Sequence, residues 1–300
     1  MAIDVLCVGH AAFDTSLFLD GFPEENGKLE VADLLTSGGG PAANAACLLA
    51  HWGLATAFAG VVGDDVYGKL VLQDFRTWGV DPSLTESRPG HTTPFSTILV
   101  NTRNGSRTII NRKVDTPPLT LSSVALSNLS PRVLLADGHE LAAAEAALQR
   151  FPDAFSILDA GSVRAGTLAL AHRVDALVAS ERFARTATGF SGLQSETDLR
   201  ECLLNLQEQF ARPITVITLG ERGLVADVGN GFYARAAETV AAVDTTAAGD
   251  MFHGAVAYGI VQGWTWPVIL NVASRAAALS VTRRGGRQSI PTLAEVLGDG

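Results

Sequence analysis

The chain is short of positive charge. Its 300 residues carry 31 Asp and Glu against 22 Lys and Arg, a formal net charge of −9 at pH 7. Holding a polynucleotide requires clustered Lys and Arg, so this balance argues against a general nucleic-acid partner. It does not exclude a small anionic ligand, for which a few local cations suffice. Cysteine is also scarce. Cys7, Cys47 and Cys202 are scattered, with no C-x-x-C pair and no Cys/His cluster. They read as small buried hydrophobes in a reducing, cytoplasmic setting. The start, "MAIDVLCVGHAAFD", lacks the basic region of a signal peptide. One apolar run, Met251–Leu270, approaches the length of a membrane span. His253, Gln262, three glycines and Pro267 interrupt it, which favours a buried helix and a turn. No repeat, low-complexity tract or Pro/Ser-rich linker divides the chain, so residues 1–300 are expected to form one domain.

What is present alternates between strand and helix. Apolar runs with strand character occupy 3–9, 55–63, 132–137, 155–160, 175–180 and 213–220. Helical patterns lie between them. Pro41 to Trp52 opens on a proline suited to a first helical position, sets Ala45, Leu48, Leu49 and Trp52 on one face, and stops at Gly53. Val66 to Trp78 is expected to turn Val66, Leu70 and Phe75 inward and to stop at Gly79. Further helices are expected over 139–150 and 195–210. Strands apolar on both faces and linked by helices indicate a parallel sheet covered on both sides. Segments 14–36 and 94–111 break the rhythm with alternating strands, the second around Asn104-Gly105. They read as extra strands forming a lid or a dimer surface. The expected class is a three-layer α/β/α sandwich with a mainly parallel sheet and a small β-strand lid.

Three stretches bear on chemistry. "GDDVYGKL" (63–70) nearly matches a phosphate-binding P-loop, but Leu70 replaces the metal-binding hydroxyl and the glycines fall within an amphipathic helix. "SGGGPAANAA" (37–46) leads glycines into a helix. It is either a flexible helix start or a place where backbone approaches a ligand, with Asn44 offering donor and acceptor. In "VDTTAAGDMFHGA" (243–255), residues 247–249 stand at the start of a helix running to about Gln262. Unpaired N–H groups and the helix dipole favour an anion there. Asp250 lies in that first turn, where the dipole is expected to keep it ionised. It is either a proton acceptor beside a phosphoryl group or a charge–dipole stabiliser worth about 0.3–1 kcal/mol. Ala247, where glycine would be easier, is expected at negative φ.

These stretches, with "VGDDVYG", "ITLGERG" and "VTRRGGRQSIP" in the same order, resemble the ribokinase-like (phosphofructokinase B) carbohydrate kinases over nearly the whole chain. The resemblance implies an ATP-dependent sugar kinase using Mg²⁺ and a monovalent cation, usually K⁺, and a homodimer joined through the lid. It implies Asp250 as the base, and the amides of Ala247, Ala248 and Gly249 as the anion hole for the transferred phosphoryl. Asp14, Gly39, Gly40 and Asn44 correspond to sugar contacts. Thr218, Gly220 and Gly223 correspond to the nucleotide phosphate loop. Asp244, Thr246, Ser280, Arg283, Gly285 and Ser289 correspond to the monovalent-cation loops. Asp14 as a strand-end cap and Ser289 as a surface residue stay open as plainer readings.

Two departures matter. The family's N-x-x-E motif, which supports Mg²⁺, is "SERF" here, with Ser180 and Phe183 at its two positions and Glu181 as a possible substitute. The acidic sugar contact after strand 132–137 is replaced by "ADGHE", which presents Asp137 or His139. Lys28, Asn111, Arg112 and Lys113 put cations and an amide at the lid. Members of the family that act on a sulfonated sugar hold the sulfonate with a lysine and an asparagine at the positions of Lys28 and Asn111, but their partnering arginine is His139 here. A neutral sugar and an acidic one (a sulfo-sugar or a sugar phosphate) therefore both stay open. So do a non-catalytic sugar- or nucleotide-binding protein and a lid-joined structural dimer. The "RRGGR" run (283–287) reads as part of the nucleotide and cation loops.

Overall fold

The computed structural model describes residues 3–112, 116–212 and 214–298. Lys113 and Pro213 lie outside the described residues. The N-terminal half holds β1 (Val5–Val8), β2 (Ala12–Leu19), β3 (Leu34–Gly39), α1 (Pro41–His51), β4 (Thr56–Gly63) and α2 (Val66–Trp78). It continues with β5 (Asp81–Arg88), β6 (Phe95–Asn101), β7 (Arg107–Arg112) and α3 (Ser123–Leu126). Next come β8 (Val133–Ala136), α4 (Leu141–Arg150), β9 (Phe155–Ala160), α5 (Ala165–Ala171), β10 (Ala176–Ser180) and α6 (Glu181–Thr188). The chain then runs through α7 (Glu196–Phe210), β11 (Ile214–Thr218), β12 (Leu224–Val228) and β13 (Phe232–Arg235). It closes with α8 (Ala248–Val261), α9 (Trp266–Ser280) and α10 (Leu293–Leu297).

A nine-stranded sheet runs β13-β12-β11-β10-β9-β8-β1-β4-β5. From β11 across to β5 its strands are mutually parallel, and β12 pairs antiparallel with both β11 and β13. Alternation along β1 explains the layers. Val5 and Cys7 face a core shared with α1, α2, α8 and α9, whereas Leu6 and Val8 face one shared with α4 to α7. Both faces are covered, which is why these strands read as continuous apolar runs.

A second sheet, β3-β2-β6-β7, gathers the two segments that broke the rhythm. Its β2–β6 pair is parallel and its outer pairs are antiparallel. Strand β7 is exposed along its length.

Two readings of the sequence need correction. In α2, Val66 and Leu70 are exposed, and Val71 joins Phe75 in the core because those two share a face four residues apart. The run 213–220 ends as a strand at Thr218 and tightens into a 3₁₀ turn over Gly220–Arg222. The near P-loop is the start of α2, where Asp65 caps the helix by accepting from the Gly68 N–H at 2.8 Å. Among the described residues, no helix is long and apolar enough to cross a membrane. Met251–Leu270 divides between α8 and α9.

Candidate active site

In an open parallel sheet, ligands gather outside the carboxyl ends of the strands. Here those ends carry polar side chains: His10 after β1, Asp137 after β8, Asp159 in the last turn of β9 and Ser180 closing β10. The start of α8 faces the same rim.

The loop into α8 is fixed from several sides. Asp244 is fully buried; its carboxylate accepts from the N–H of Thr246 at 2.9 Å and of Gly285 at 2.9 Å. Thr245 N–H donates to Gly105 O at 3.1 Å, and Arg107 donates to the Thr245 hydroxyl at 2.8 Å. The β6–β7 turn of the small sheet thus rests on this loop. Ala247 lies at φ 62°, in the left-handed region, so the expected negative φ is overturned. The anchored loop leaves residue 247 no other way into the helix, and its side chain is buried. An alanine held there costs about 1–2 kcal/mol, which the surrounding contacts must offset. The helix then begins at Ala248. The space beside Gly249 is open, with no atom within 4 Å of where a Cβ would stand.

Asp250, in the first turn of α8, accepts from Asn44 Nδ2 at 2.7 Å. Burial, reinforced by the nearby Asp159 charge, raises its pKa to about 7. The helix dipole therefore does not decide its ionisation, as the sequence had suggested. Desolvation outweighs it, and a carboxyl titrating near the working pH is well matched to accepting a proton. Asp159 is raised to about 7 as well, by burial and then by Asp137. His253 completes the cluster, with Nδ1 at 3.3 Å from Asp159 Oδ2 and Nε2 at 3.2 Å from Val178 O.

The glycine loop ends β3 and leads into α1. Gly40, at φ 104°, needs to be glycine. A Cβ at Gly39 would overlap the Asp14 carboxylate, and one at Gly38 would overlap the Arg287 guanidinium. Asp14 is half-buried, and desolvation raises its pKa. One oxygen, Oδ1, has no partner, so it is free to meet a ligand hydroxyl. Strand register sets Ser37, Asp14, Ser96 and Asn111 in one row across the small sheet. Asn111 is exposed in that row, and Lys28 is exposed in the connection between β2 and β3.

Asp137 does not line the pocket. It is fully buried and accepts from the N–H groups of His10 (2.9 Å), Ala42 (3.2 Å) and His139 (3.0 Å). These bonds, with His139 Nδ1 at 3.1 Å, hold its carboxyl well below the usual carboxylate range. His139 is the half-buried member that reaches the rim. It stacks on His10 with ring centroids 4.6 Å apart, and its Nε2 meets Arg164. Because Arg164 can only donate, Nε2 accepts and Nδ1 carries the proton to Asp137.

A cleft of about 650 Å³ lies across the rim, lined by Ser180, Arg182, Arg185, Phe190, Thr218 and Gly220. Gly223 stands behind it; at φ 94° its missing Cβ makes room for Arg235 O. Ser180 caps α6, Phe183 is buried in the core, and Glu181 pairs with Arg222 at 2.7 Å. Glu181 lines the same cleft while held in that pair. Among the described residues, no group of three or more His, Cys, Asp or Glu could hold a metal.

The expected cation loops meet only in part. Asp244, Thr246 and Gly285 come together, and the buried Ser289 follows by donating to Gly286 O at 2.7 Å. Thr246 Oγ1 is buried without a partner, a donor atom suited to a cation. Ser280 is buried and donates within α9, and Arg283 turns away to Glu295 at 2.5 Å.

Sequence reasoning passed over Asp159, His253, Arg107, Arg164 and Arg287. A polar residue closing an apolar parallel strand was a usable signal for Asp159. The others are placed by tertiary contact alone.

A family model, the pfkB family carbohydrate kinases, matches residues 2–293. The chain belongs to this family and is a carbohydrate kinase, a phosphotransferase with an alcohol acceptor. It is 25% identical to the ribokinase of Haemophilus influenzae over 86% of each chain. It is 23% identical to the deoxyribokinase of Salmonella typhimurium over 97% of this chain and 96% of that one. Among solved structures, one from Agrobacterium tumefaciens, provisionally assigned as a ribokinase, superposes with a TM-score of 0.86 at 28% identity, covering 100% of this chain and 97% of that chain. The Arabidopsis thaliana ribokinase, solved with ribose and ATP, has the same fold, with a TM-score of 0.84 at 24% identity over 99% of this chain and 98% of that one.

Proposed function

We propose that this kinase transfers the γ-phosphoryl of ATP to a hydroxyl of a small sugar, with Asp250 as general base. The observation that carries the reading is Asp250 itself. It is a half-buried carboxyl whose desolvation raises its pKa, in the first turn of α8, with free space beside Gly249 and Asn44 bonded to it. The sugar lies between Asp14, the Gly39–Gly40 backbone, Asn44 and Asp250. Asp250 takes the hydroxyl proton, and the amides following Ala247 hold the phosphoryl oxygens as negative charge shifts among them. ATP fills the cleft at Thr218 and Gly220. Mg²⁺ would fit as an ion carried by the nucleotide phosphates and would supply charge neutralisation there, since the described residues offer no carboxylate cage. A monovalent cation fits at Asp244, Thr246 and Gly285 by the unpartnered Thr246 hydroxyl. The small sheet acts as a lid on one domain, and its exposed Ile109 and Ile110 support a homodimer. Three buried free cysteines suit a cytoplasmic protein.

Asp250→Asn is expected to lower turnover by about 10²–10⁴-fold while sugar binding persists. Near wild-type turnover would reject Asp250 as base.

One observation favours an acidic sugar. Arg164 holds a fixed cation beside His139, where family members that act on a sulfonated sugar carry an arginine. ADP release measured across matched neutral and acidic sugars decides between the two classes.

A further inference from the structure

Arg287 has the largest fully buried side chain among the described residues, with 0% exposure. A buried guanidinium is expensive, and an apolar replacement of similar volume is often as stable, so its presence calls for a reason beyond stability. Its surroundings are specific. Nη1 donates to Asp74 Oδ2 at 2.7 Å, and Nε donates to Asn44 Oδ1 at 3.0 Å. Nη2 points at Gly39 O at 3.5 Å, and the cation lies 4.8 Å from the centre of the Phe75 ring. Gly38 leaves room for it and donates its own N–H to the same Asp74 oxygen at 2.9 Å.

The contact with Asn44 fixes a direction. An amide side chain has one accepting end and one donating end, and arginine only donates. Asn44 must therefore turn Oδ1 to Arg287, which leaves Nδ2 for Asp250. Asp74, Arg287, Asn44 and Asp250 form a chain in which every donor and acceptor is set. Reversing the Asn44 amide would put its oxygen against the Asp250 carboxylate and its N–H₂ against the guanidinium. We infer that Arg287 is a positioning residue, holding Asn44 in the one orientation that anchors the Asp250 carboxylate for proton transfer. The Asn44 bond favours the ionised form of Asp250, so losing this orientation also makes the base harder to ionise.

The inference rests on Asp250 being the base. The test uses Arg287→Met with Asp74→Asn, which avoids stranding an acid, compared with Asn44→Ala and with all three changes together. The first pair is expected to lower kcat about 10²-fold, the size of a small misplacement of a catalytic group. It is also expected to move the acid limb of the kcat–pH profile to higher pH. Adding Asn44→Ala should raise the sugar KM, because Asn44 also touches the sugar, yet move the acid limb no further, because both changes act on Asp250 through one bond. If the double variant does not fold, Arg287→Lys keeps a cation for Asp74, lacks the Nε donor and should shift the same limb. A fall in Tm with unchanged kcat and pH limb, or a further shift of the acid limb in the triple variant, would overturn the inference. Those outcomes leave Asp250 untouched if Asp250→Asn is inactive; an active Asp250→Asn rejects the base first.

Discussion

The two sheets solve the same problem in opposite ways. The nine-stranded sheet buries both faces, so its strands have no room for chemistry and every functional polar group sits at its rim. The four-stranded sheet leaves β7 open and carries polar residues along its strands, with Ser16 and Ser96 buried and Asp14 half-buried within it. One sheet is a scaffold that ends in a site; the other is a surface that is itself part of one. Rim residues should therefore be costly to change in stability, and small-sheet residues cheap.

The sharpest break of that contrast is Asp137→Ala. Removing a buried carboxylate that satisfies several donors should cost about 3 kcal/mol or more, measured by urea unfolding. Its folded pKa is depressed, so this share of stability is complete above the unfolded value of about 3.9 and fades as pH falls below it. Asp159→Asn should work the other way. Its carboxyl is raised to about 7, so the folded state holds the proton more tightly than the unfolded one. Stability is highest below about pH 4 and declines as pH rises through 7. The asparagine variant should therefore gain on the order of 1–3 kcal/mol at pH 8 and almost nothing at pH 4, read as Tm across pH. A gain that is equal at both pH values would reject the buried-acid account. The smallest effect is expected on the small sheet. Ile110→Asp should change monomer stability by about 0.5 kcal/mol or less, yet abolish the proposed dimer, as light scattering would show. A large loss of stability would mean that β7 belongs to the core.

Much of this was legible in the sequence because local rules operate along the large sheet. Pro41 and Gly53 bound α1, and uninterrupted apolar runs mark β1, β4 and β8. The edge strands escaped notice. Strand β5, "DPSLTESR", is polar and carries a proline, as an edge tolerates, and β13 pairs on one side only. The candidate site was half legible. Glycines and Asp250 announce themselves by spacing, whereas Arg287 looked like one member of a basic run. In fact, the run's three arginines that form ion pairs part company. Arg283 meets Glu295, Arg284 meets Asp33, and Arg287 enters the core to meet Asp74. Ala247 shows the limit of propensity, because anchoring on both sides overrides a preference of one or two kcal/mol.

The bonds that shape the rim span great lengths of chain. His10 reaches Asp137 across 127 residues, Asn44 reaches Asp250 across 206, and Arg287 returns to Asn44 across 243. Such non-local closures form late, because loop entropy must be lost before they contribute. During synthesis, the N-terminal half emerges with its glycine loop, Asp14 and Asn44 already in hand, but with nothing to grip. The Asn44–Arg287 contact cannot form until residue 287 has been made, so the ability to bind sugar doubles as a report that synthesis has passed that arginine.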